Sequence, residues 1–269
     1  AEAIVAQAWE GGIREFDTAM AYGSSEAVLG CALKSLGLLG AARIVTKLSP
    51  FANGPLSAAE IRAAIDSSLK RLGVERLHGL LLHREDDLNL WGEGLGDCLS
   101  GAVRRGSVAH IGVSVYHPEK GLAALQIEGI TMVQIPANIL DRRCLDAGLL
   151  DLAAQANKTV AIRSVLLQGL LLMEAAKLPE TMRFAIPVLR QLDEFCKEMD
   201  VTRAEAALLY IKEAAPRARV VFGAETALQV KDNLALWAKR APQGLVARAA
   251  ATFKDIDERI LNPSLWPVN

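Results

Sequence analysis

Four residues in the first third of the chain have types and positions that could do acid–base chemistry. Asp17 and Tyr22 stand five positions apart in FDTAMAYGSSE (16–26), Lys47 closes RIVTKL (43–48), and His83 closes LHGLLLH (77–83). A free phenol, with a pKa of ~10, is a poor acid near neutrality. A nearby ammonium favours the phenolate and makes the phenol a better acid. Asp17 is suited to hold Lys47 in place and keep it charged, and His83 to orient a carbonyl oxygen or relay a proton. The result is a general acid tuned toward working pH. Taken singly, each residue has an ordinary structural reading: a packed ring, an edge charge, a satisfied imidazole. His78, at the other end of the strand that His83 closes, reads as structural. No serine with a base partner is evident, which argues against a covalent hydrolase. An acid aimed at a carbonyl needs a source of electrons, and the side chains offer none. That points to a hydride cofactor.

These residues converge only if the elements that carry them are neighbours. IREFDTA (13–19), RIVTKL (43–48), LHGLLLH (77–83), HIGVSV (110–115), TMVQI (131–135), TVAIRS (159–164) and RVVFG (219–223) read as strands, seven in all. The run at 77–83 lacks alternation, as expected of a strand covered on both faces. Helical patterns lie between them. Ser24 or Ser25 can start a helix before EAVLGCALKS. SAAEIRAAIDSSLKRLG carries a capping box at Ser57 and Glu60, a stop at Gly73, and Ile61, Ile65, Leu69 and Leu72 on one face. Thr202 and Glu205 form a second capping box, and QGLVARAAATFKDIDERI reads as one closing helix.

Strand–helix alternation throughout predicts an α/β fold with a parallel sheet. The length of 269 residues is near the ~250 typical of a (β/α)8 TIM barrel, expected here as a single domain over 1–269. A closed barrel of this kind has eight strands, so the first strand is expected to lie before Ala1. A doubly wound open sheet competes, but no GxGxxG follows the first strand. In such a barrel the C-terminal ends of the strands surround the active site, which is where Asp17, Lys47 and His83 fall.

Composition narrows the function. The chain is 51% hydrophobic with net charge −1, which lacks the electrostatic footprint of a nucleic-acid binder. No stretch approaches the ~20 apolar residues that span a bilayer. The four cysteines and four histidines are scattered without metal-ligand or disulfide spacing. A metal centre is therefore not expected, and reduced thiols suit a cytoplasmic protein.

With these residues in view, the chain resembles the aldo-keto reductases along essentially its whole length. FDTAMAYGSSEAVLG is similar to the family's DTAxxYGxSExxLG signature, VTKL to its lysine strand, and SLKRLGVERLHGLLLHRED to its SLxRLGxxxxDLxxxHxxD segment. The resemblance implies a tetrad: Tyr22 as acid/base, Lys47 tuning it, Asp17 paired to Lys47, and His83 orienting substrate. It implies NADP or NAD as cofactor and a small carbonyl compound as substrate. Ser114 and Gln134 match positions that hold the nicotinamide carboxamide, but Val115 replaces the family's Asn. Arg163, followed by Ser164, stands where an aromatic commonly stacks under the nicotinamide, and a planar guanidinium can stack too. Gln168, Gly169 and Leu170 resemble the loop near the pyrophosphate.

GAETALQVKDNL resembles the adenosine segment, with Gly223 opening it, Gln229 and Asn233 toward the adenine, and Asp232 in place of Glu. A helix N-terminus at Thr226 offers N–H groups to a phosphate. Glu225 falls where NADPH-preferring members often place Arg or Lys. A carboxylate there repels a 2′-phosphate and can accept a bond from a ribose hydroxyl, so the choice between NADP and NAD stays open. Met20, Phe51 and Trp91 are candidates to line the pocket, and RSVLLQGLL is similar to bacterial members that act on sugars or sugar-like carbonyls. The alternative function is a cofactor-binding regulatory protein on the same fold, similar to potassium-channel β subunits. A barrel that has lost its activity is a third reading.

Overall fold

A computed structural model describes residues 1–49 and 57–266; Phe51 lies outside them. The chain forms two compact units. The first comprises Ala1–Ile135, Asp151–Ala161 and Ala224–Lys231, the second Pro136–Leu150, Ile162–Gly223 and Asp232–Asn269.

The first unit is built on parallel strands β1 (Glu15–Asp17), β2 (Arg43–Leu48), β3 (Leu77–Leu82), β4 (Val108–Ser114) and β5 (Ile130–Pro136). Each pairs with the next in chain order. The helix over Glu2–Glu10 leads into β1, and helices over Ser25–Ser35, Ala58–Leu72, Leu95–Arg104 and Pro118–Gln126 lie in the connections. The β1–β2 ladder continues past Asp17, because Thr18 donates to the Val45 carbonyl (2.9 Å) and Met20 to that of Lys47 (3.1 Å). Strands β2 and β3 are almost wholly buried, which matches their unbroken apolar runs. Alternation along β2 sends Val45 and Lys47 to one face and Thr46 to the other. Val45, Leu81 and Met132 pack together. Gly112 is required beside them, since a Cβ there would lie 2.3 Å from the Met132 carbonyl oxygen; the β4–β5 register shifts between Ile111 and Gly112.

The helix over Ala58–Leu72 begins at the expected capping box of Ser57 and Glu60 and ends at Gly73 in the left-handed region (φ 70°). Ile61, Ile65 and Leu72 are buried, each contributing roughly 1.5–3 kcal/mol of hydrophobic stabilisation. The fourth buried position is Ser68 rather than Leu69, because its hydroxyl bonds the buried Glu26 carboxylate. Gly30, in the helix over Ser25–Ser35, meets the end of this helix so closely that a Cβ would sit 2.5 Å from the Leu72 carbonyl oxygen.

Strand β6 (Thr159–Arg163) and strand β7 (Arg219–Val220) bring the described strands to seven. In the second unit the end of β6 is bonded by Val221 N–H to the Ile162 carbonyl (2.8 Å) and by Ala137 N–H to that of Arg163 (3.2 Å). Helices over Ile186–Met199, Arg203–Ala214 and Leu245–Thr252 pack around Leu189, Leu192, Phe195, Leu208 and Ala249. The Phe195 and Phe253 rings meet at 5.2 Å. Thr202 and Glu205 form the expected capping box. The single closing helix does not form. It stops at Thr252, Asp255 turns left-handed (φ 51°), and Asp257 caps a new short turn over Glu258–Leu261 by accepting from Arg259 N–H (2.9 Å). Two short acidic side chains that favour turns and caps outcompete the helical pattern there.

No helix of the described residues is long and apolar enough to cross a membrane. Among the same residues, no cluster of three or more His, Cys, Asp or Glu could hold a metal ion. None of the four cysteines is in a disulfide: Cys31 is exposed, Cys98 half-buried, and Cys144 and Cys196 are buried. Burial pushes the Cys196 thiol up to about 11.

Candidate active site

The register of β1, β2 and β3 delivers three side chains to one end of the sheet. Lys47, 2% exposed, sits one residue from the end of β2 and opposite Leu81 of β3. Its ammonium forms an ion pair with the Asp17 carboxylate, and it donates to the Thr18 carbonyl (2.9 Å). The other Asp17 oxygen accepts from Gln134 Nε2 at 2.8 Å. A buried ammonium without a carboxylate would be costly, so this pair explains how Lys47 can remain charged.

Tyr22 lies on the loop between β1 and the helix over Ser25–Ser35, with its side chain half exposed (51%). Lys47 Nζ is 5.4 Å from the centroid of its ring, and the His83 ring meets it edge-on, with centroids 5.5 Å apart and planes at 81°. Gly23 takes a positive φ (56°) directly after Tyr22 and turns the chain into the helix. Asp17, Tyr22, Lys47 and His83 are thus brought together. The result is an exposed phenol beside a buried, carboxylate-held cation and an imidazole, a geometry that suits proton donation.

Ser114 and Gln134 face one another across β4 and β5 and are buried (5% and 2%). The bond to Asp17 commits one N–H of the Gln134 side-chain amide, whose carbonyl oxygen is an acceptor on the residue paired with Ser114. That donor set fits a carboxamide. Val115 is fully buried, its N–H donates to the main-chain carbonyl of Gln134 (2.9 Å), and its side chain cannot supply the amide of the missing Asn.

Glu225 and Gln229 are exposed at the start of the helix over Ala227–Ala238. The Gln229 side-chain oxygen accepts from Glu225 N–H (2.7 Å), and the Thr226 hydroxyl accepts from Gln229 N–H (3.1 Å). One first-turn N–H expected to be open to a phosphate, that of Gln229, is therefore already engaged. Asn233 follows Gln229 by one helical turn, on the same face.

In the second unit Arg163 donates to the Ser164 hydroxyl (3.1 Å). Ser164 (φ 62°), Leu167 (49°), Gln168 (50°) and Gly169 (85°) all lie in the left-handed region. Three non-glycine residues there mark a strained loop, held partly by Asn138 Nδ2 donating to the Ser164 carbonyl (3.2 Å). Leu170 is buried; Gly223 is exposed, with open space where a Cβ would stand.

Of the candidate pocket residues, Met20 is half-buried two positions before Tyr22. Trp91 packs its ring over Gly96 and Gly129, where a Cβ would lie 2.8 and 3.2 Å away, and Gly129 directly precedes the N-terminal end of β5. Trp91 is therefore a packing residue at the end of the sheet opposite the tetrad. His78 has the structural role expected of it, 3.5 Å from Glu15 and edge-on to His110 at 5.0 Å.

Two carboxylates near the site escaped the sequence reading. Glu85, two residues after His83, accepts from the N–H groups of Tyr116 (2.7 Å) and His117 (3.1 Å) and bonds the His117 ring, tying the loop after β3 to the loop after β4. Glu26, four residues after Tyr22, is 1% exposed. It accepts from the Thr46 hydroxyl (2.6 Å), the Ser68 hydroxyl (2.8 Å) and Arg71 Nε (2.7 Å). This is why Ser68 is the buried residue on its helix. Asp87, buried in the loop after β3, has its carboxyl pushed above the usual range by burial, against the opposing charge of Arg84.

Sequence and structure comparisons place the chain in a family. Residues 1–251 match the Aldo/keto reductase family. The chain belongs to that family of oxidoreductases, whose members act on small carbonyl substrates. It is 28% identical over 273 residues to L-glyceraldehyde 3-phosphate reductase of Escherichia coli O157:H7, covering 86% of this chain and 77% of that one. It is 34% identical over 131 residues to 6-dehydroglucose reductase of Agrobacterium fabrum (strain C58 / ATCC 33970), 44% of this chain and 42% of that one. Among solved structures it resembles an aldo-keto reductase from Bacillus halodurans in its holo form, with TM-score 0.79 and 25% identity over 95% of this chain and 87% of that one.

Proposed function

We propose that this protein interconverts an aldehyde or ketone of the sugar-like class with its alcohol, using NADPH or NADH, and that Tyr22 is the general acid. The observation that carries the reading is the local geometry around Tyr22: Lys47 is 5.4 Å from the ring centroid and tied to Asp17, with His83 edge-on at 5.5 Å. The cofactor supplies the hydride. Ser114, Gln134, Arg163 and Ser164 would hold its nicotinamide end. Gln168, Gly169 and Leu170 would hold its pyrophosphate, and Gly223, Glu225, Gln229 and Asn233 its adenosine. Tyr22 donates the proton to the carbonyl oxygen in reduction and recovers it in oxidation. Lys47 favours the phenolate that results, Asp17 keeps Lys47 in position, and His83 orients the oxygen.

The same reading takes the fold as one aldo-keto reductase barrel domain over 1–269, and the protein as cytoplasmic. The substrate class rests on the two curated relatives, whose names specify a phosphorylated triose and an oxidised glucose.

The test is to follow oxidation of NADH and of NADPH with glyceraldehyde 3-phosphate, 6-dehydroglucose and simple aldehydes, in wild type and in Tyr22→Phe. Turnover that Tyr22→Phe abolishes while cofactor affinity holds supports the reading. Wild-type turnover in Tyr22→Phe removes Tyr22 as proton donor. Cofactor binding without turnover on any carbonyl leads back to a regulatory protein.

A further inference from the structure

Tyr22 is half exposed, with His83 and Lys47 against its ring, and a general acid must be held to a fraction of an ångström. Its backbone adds further restraints. Its N–H donates to the Ala19 carbonyl (3.1 Å), and its carbonyl accepts from Ser25 N–H (3.0 Å). The loop is closed at its base by the hydroxyls of Thr18 and Ser25, 2.9 Å apart. One end runs along β2 through the Thr18 and Met20 bonds. The other end is fastened by Glu26, whose carboxylate takes the Thr46 hydroxyl. Thr46 is the residue next to Lys47, fully buried on the opposite face of the strand.

We infer that Glu26 and Thr46 are positioning residues: their bond fastens the start of the helix after Tyr22 to the strand that carries Lys47, and so fixes the phenol against the ammonium. The inference rests on the proposed role of Tyr22. Two features separate this link from ordinary helix packing. It is a charge-assisted bond of 2.6 Å at a fully buried site. And the carboxylate is braced from the third side by Ser68 and Arg71, both on the helix over Ala58–Leu72, so it cannot swing to follow a displaced loop. Lys47 is fixed independently by Asp17 and by the Thr18 carbonyl. Cutting the link should therefore move the phenol and leave the cation in place.

Thr46→Val removes the hydroxyl at nearly constant shape and leaves Ser68 and Arg71 on Glu26. The expected result is a fall in kcat of about tenfold with KM and cofactor affinity unchanged, since a displacement well under 1 Å costs less than the roughly hundredfold attached to a full ångström. The ultraviolet titration of Tyr22 in the cofactor-free protein, taken as the difference from a Tyr22→Phe background, should move to higher pH. Thr46→Ser should restore both readouts. Should Thr46→Val not fold, Ser25→Ala cuts the hydroxyl bridge at the base of the same loop and is expected to move both readouts in the same direction.

A purely structural role would lower the melting temperature while leaving the titration of Tyr22 and the kcat of the folded protein where they were, and that result overturns the inference. The two levels fail separately. Tyr22→Phe with wild-type turnover refutes the proton-donor reading. An inactive Tyr22→Phe beside a Thr46→Val with wild-type kcat and titration refutes only the positioning.

Discussion

Lys47 has two tasks, and one pair of substitutions separates them. Removing it alone, as Lys47→Met, leaves the Asp17 carboxylate, 16% exposed, with Gln134 as its remaining donor in the network. Breaking a buried pair by deleting one partner costs about 3–5 kcal/mol. Adding Asp17→Asn removes the stray charge while keeping an acceptor for Gln134, so the double variant should recover most of that loss. The catalytic effect should not recover. At 5.4 Å the ammonium favours a charge on the Tyr22 ring by about 3 kcal/mol at an effective dielectric of ~20. The half-exposed ring is screened by water, which reduces this to about 1–2 kcal/mol, a factor of roughly 5–30 in the ionisation equilibrium.

Chemical denaturation of wild type, single and double variants reads the first task. Ultraviolet titration of Tyr22 and the pH profile of kcat read the second. The double variant should be near wild type in stability, should titrate Tyr22 at higher pH, and should turn over about five- to thirtyfold more slowly, as the change in that equilibrium allows. A double variant with kcat within about threefold of wild type and an unmoved titration would refute the reasoning, because the cation would then have no effect on the phenol.

Glu225→Arg exchanges repulsion for attraction at an exposed position and should raise affinity for NADP relative to NAD by about tenfold, measured by fluorescence titration; an unchanged ratio would assign Glu225 to the helix start alone. Gly112→Ala should cost about 3 kcal/mol or more in denaturant unfolding, since its Cβ would meet the Met132 backbone at 2.3 Å rather than a side chain that can move. Ser57→Ala removes the capping box of a long helix and should cost about 1 kcal/mol, seen as a fall of a few degrees in Tm. Bonding to Lys239, and then to Thr202, lowers the Glu205 carboxyl to about 2. Its contribution is complete above the unfolded value near 4.5 and is lost as pH falls through about 2. Wild type should therefore exceed Glu205→Gln by about 1 kcal/mol at neutral pH, a figure kept small by the half-exposed Lys239, and the gap should close between about pH 4.5 and 2.

What the sequence made legible follows from how local each signal is. RIVTKL is β2 to the residue, because a fully buried strand announces itself by composition. Both capping boxes were readable, since each is completed within four residues. The Asp17–Lys47 pair was readable because adjacent parallel strands bring their ends together. The partners of Glu26 were not: Ser68 and Arg71 stand 42 and 45 residues away, and an acid in the first turn of a helix ordinarily reads as a solvated charge. Trp91 gave no sign that its ring covers Gly129 rather than a pocket. The break in the final helix hinged on one left-handed Asp255, which hydrophobic spacing does not register.

The uneven burial of the thiols has a practical consequence. Cys31 is the exposed one, on the helix that starts behind Tyr22, and it stands five positions after Glu26, so the two point to different sides of that helix. With Cys144 and Cys196 buried, a maleimide dye would react first there. The native sequence thus offers an attachment point from which fluorescence could follow that helix during turnover without disturbing the carboxylate beneath it.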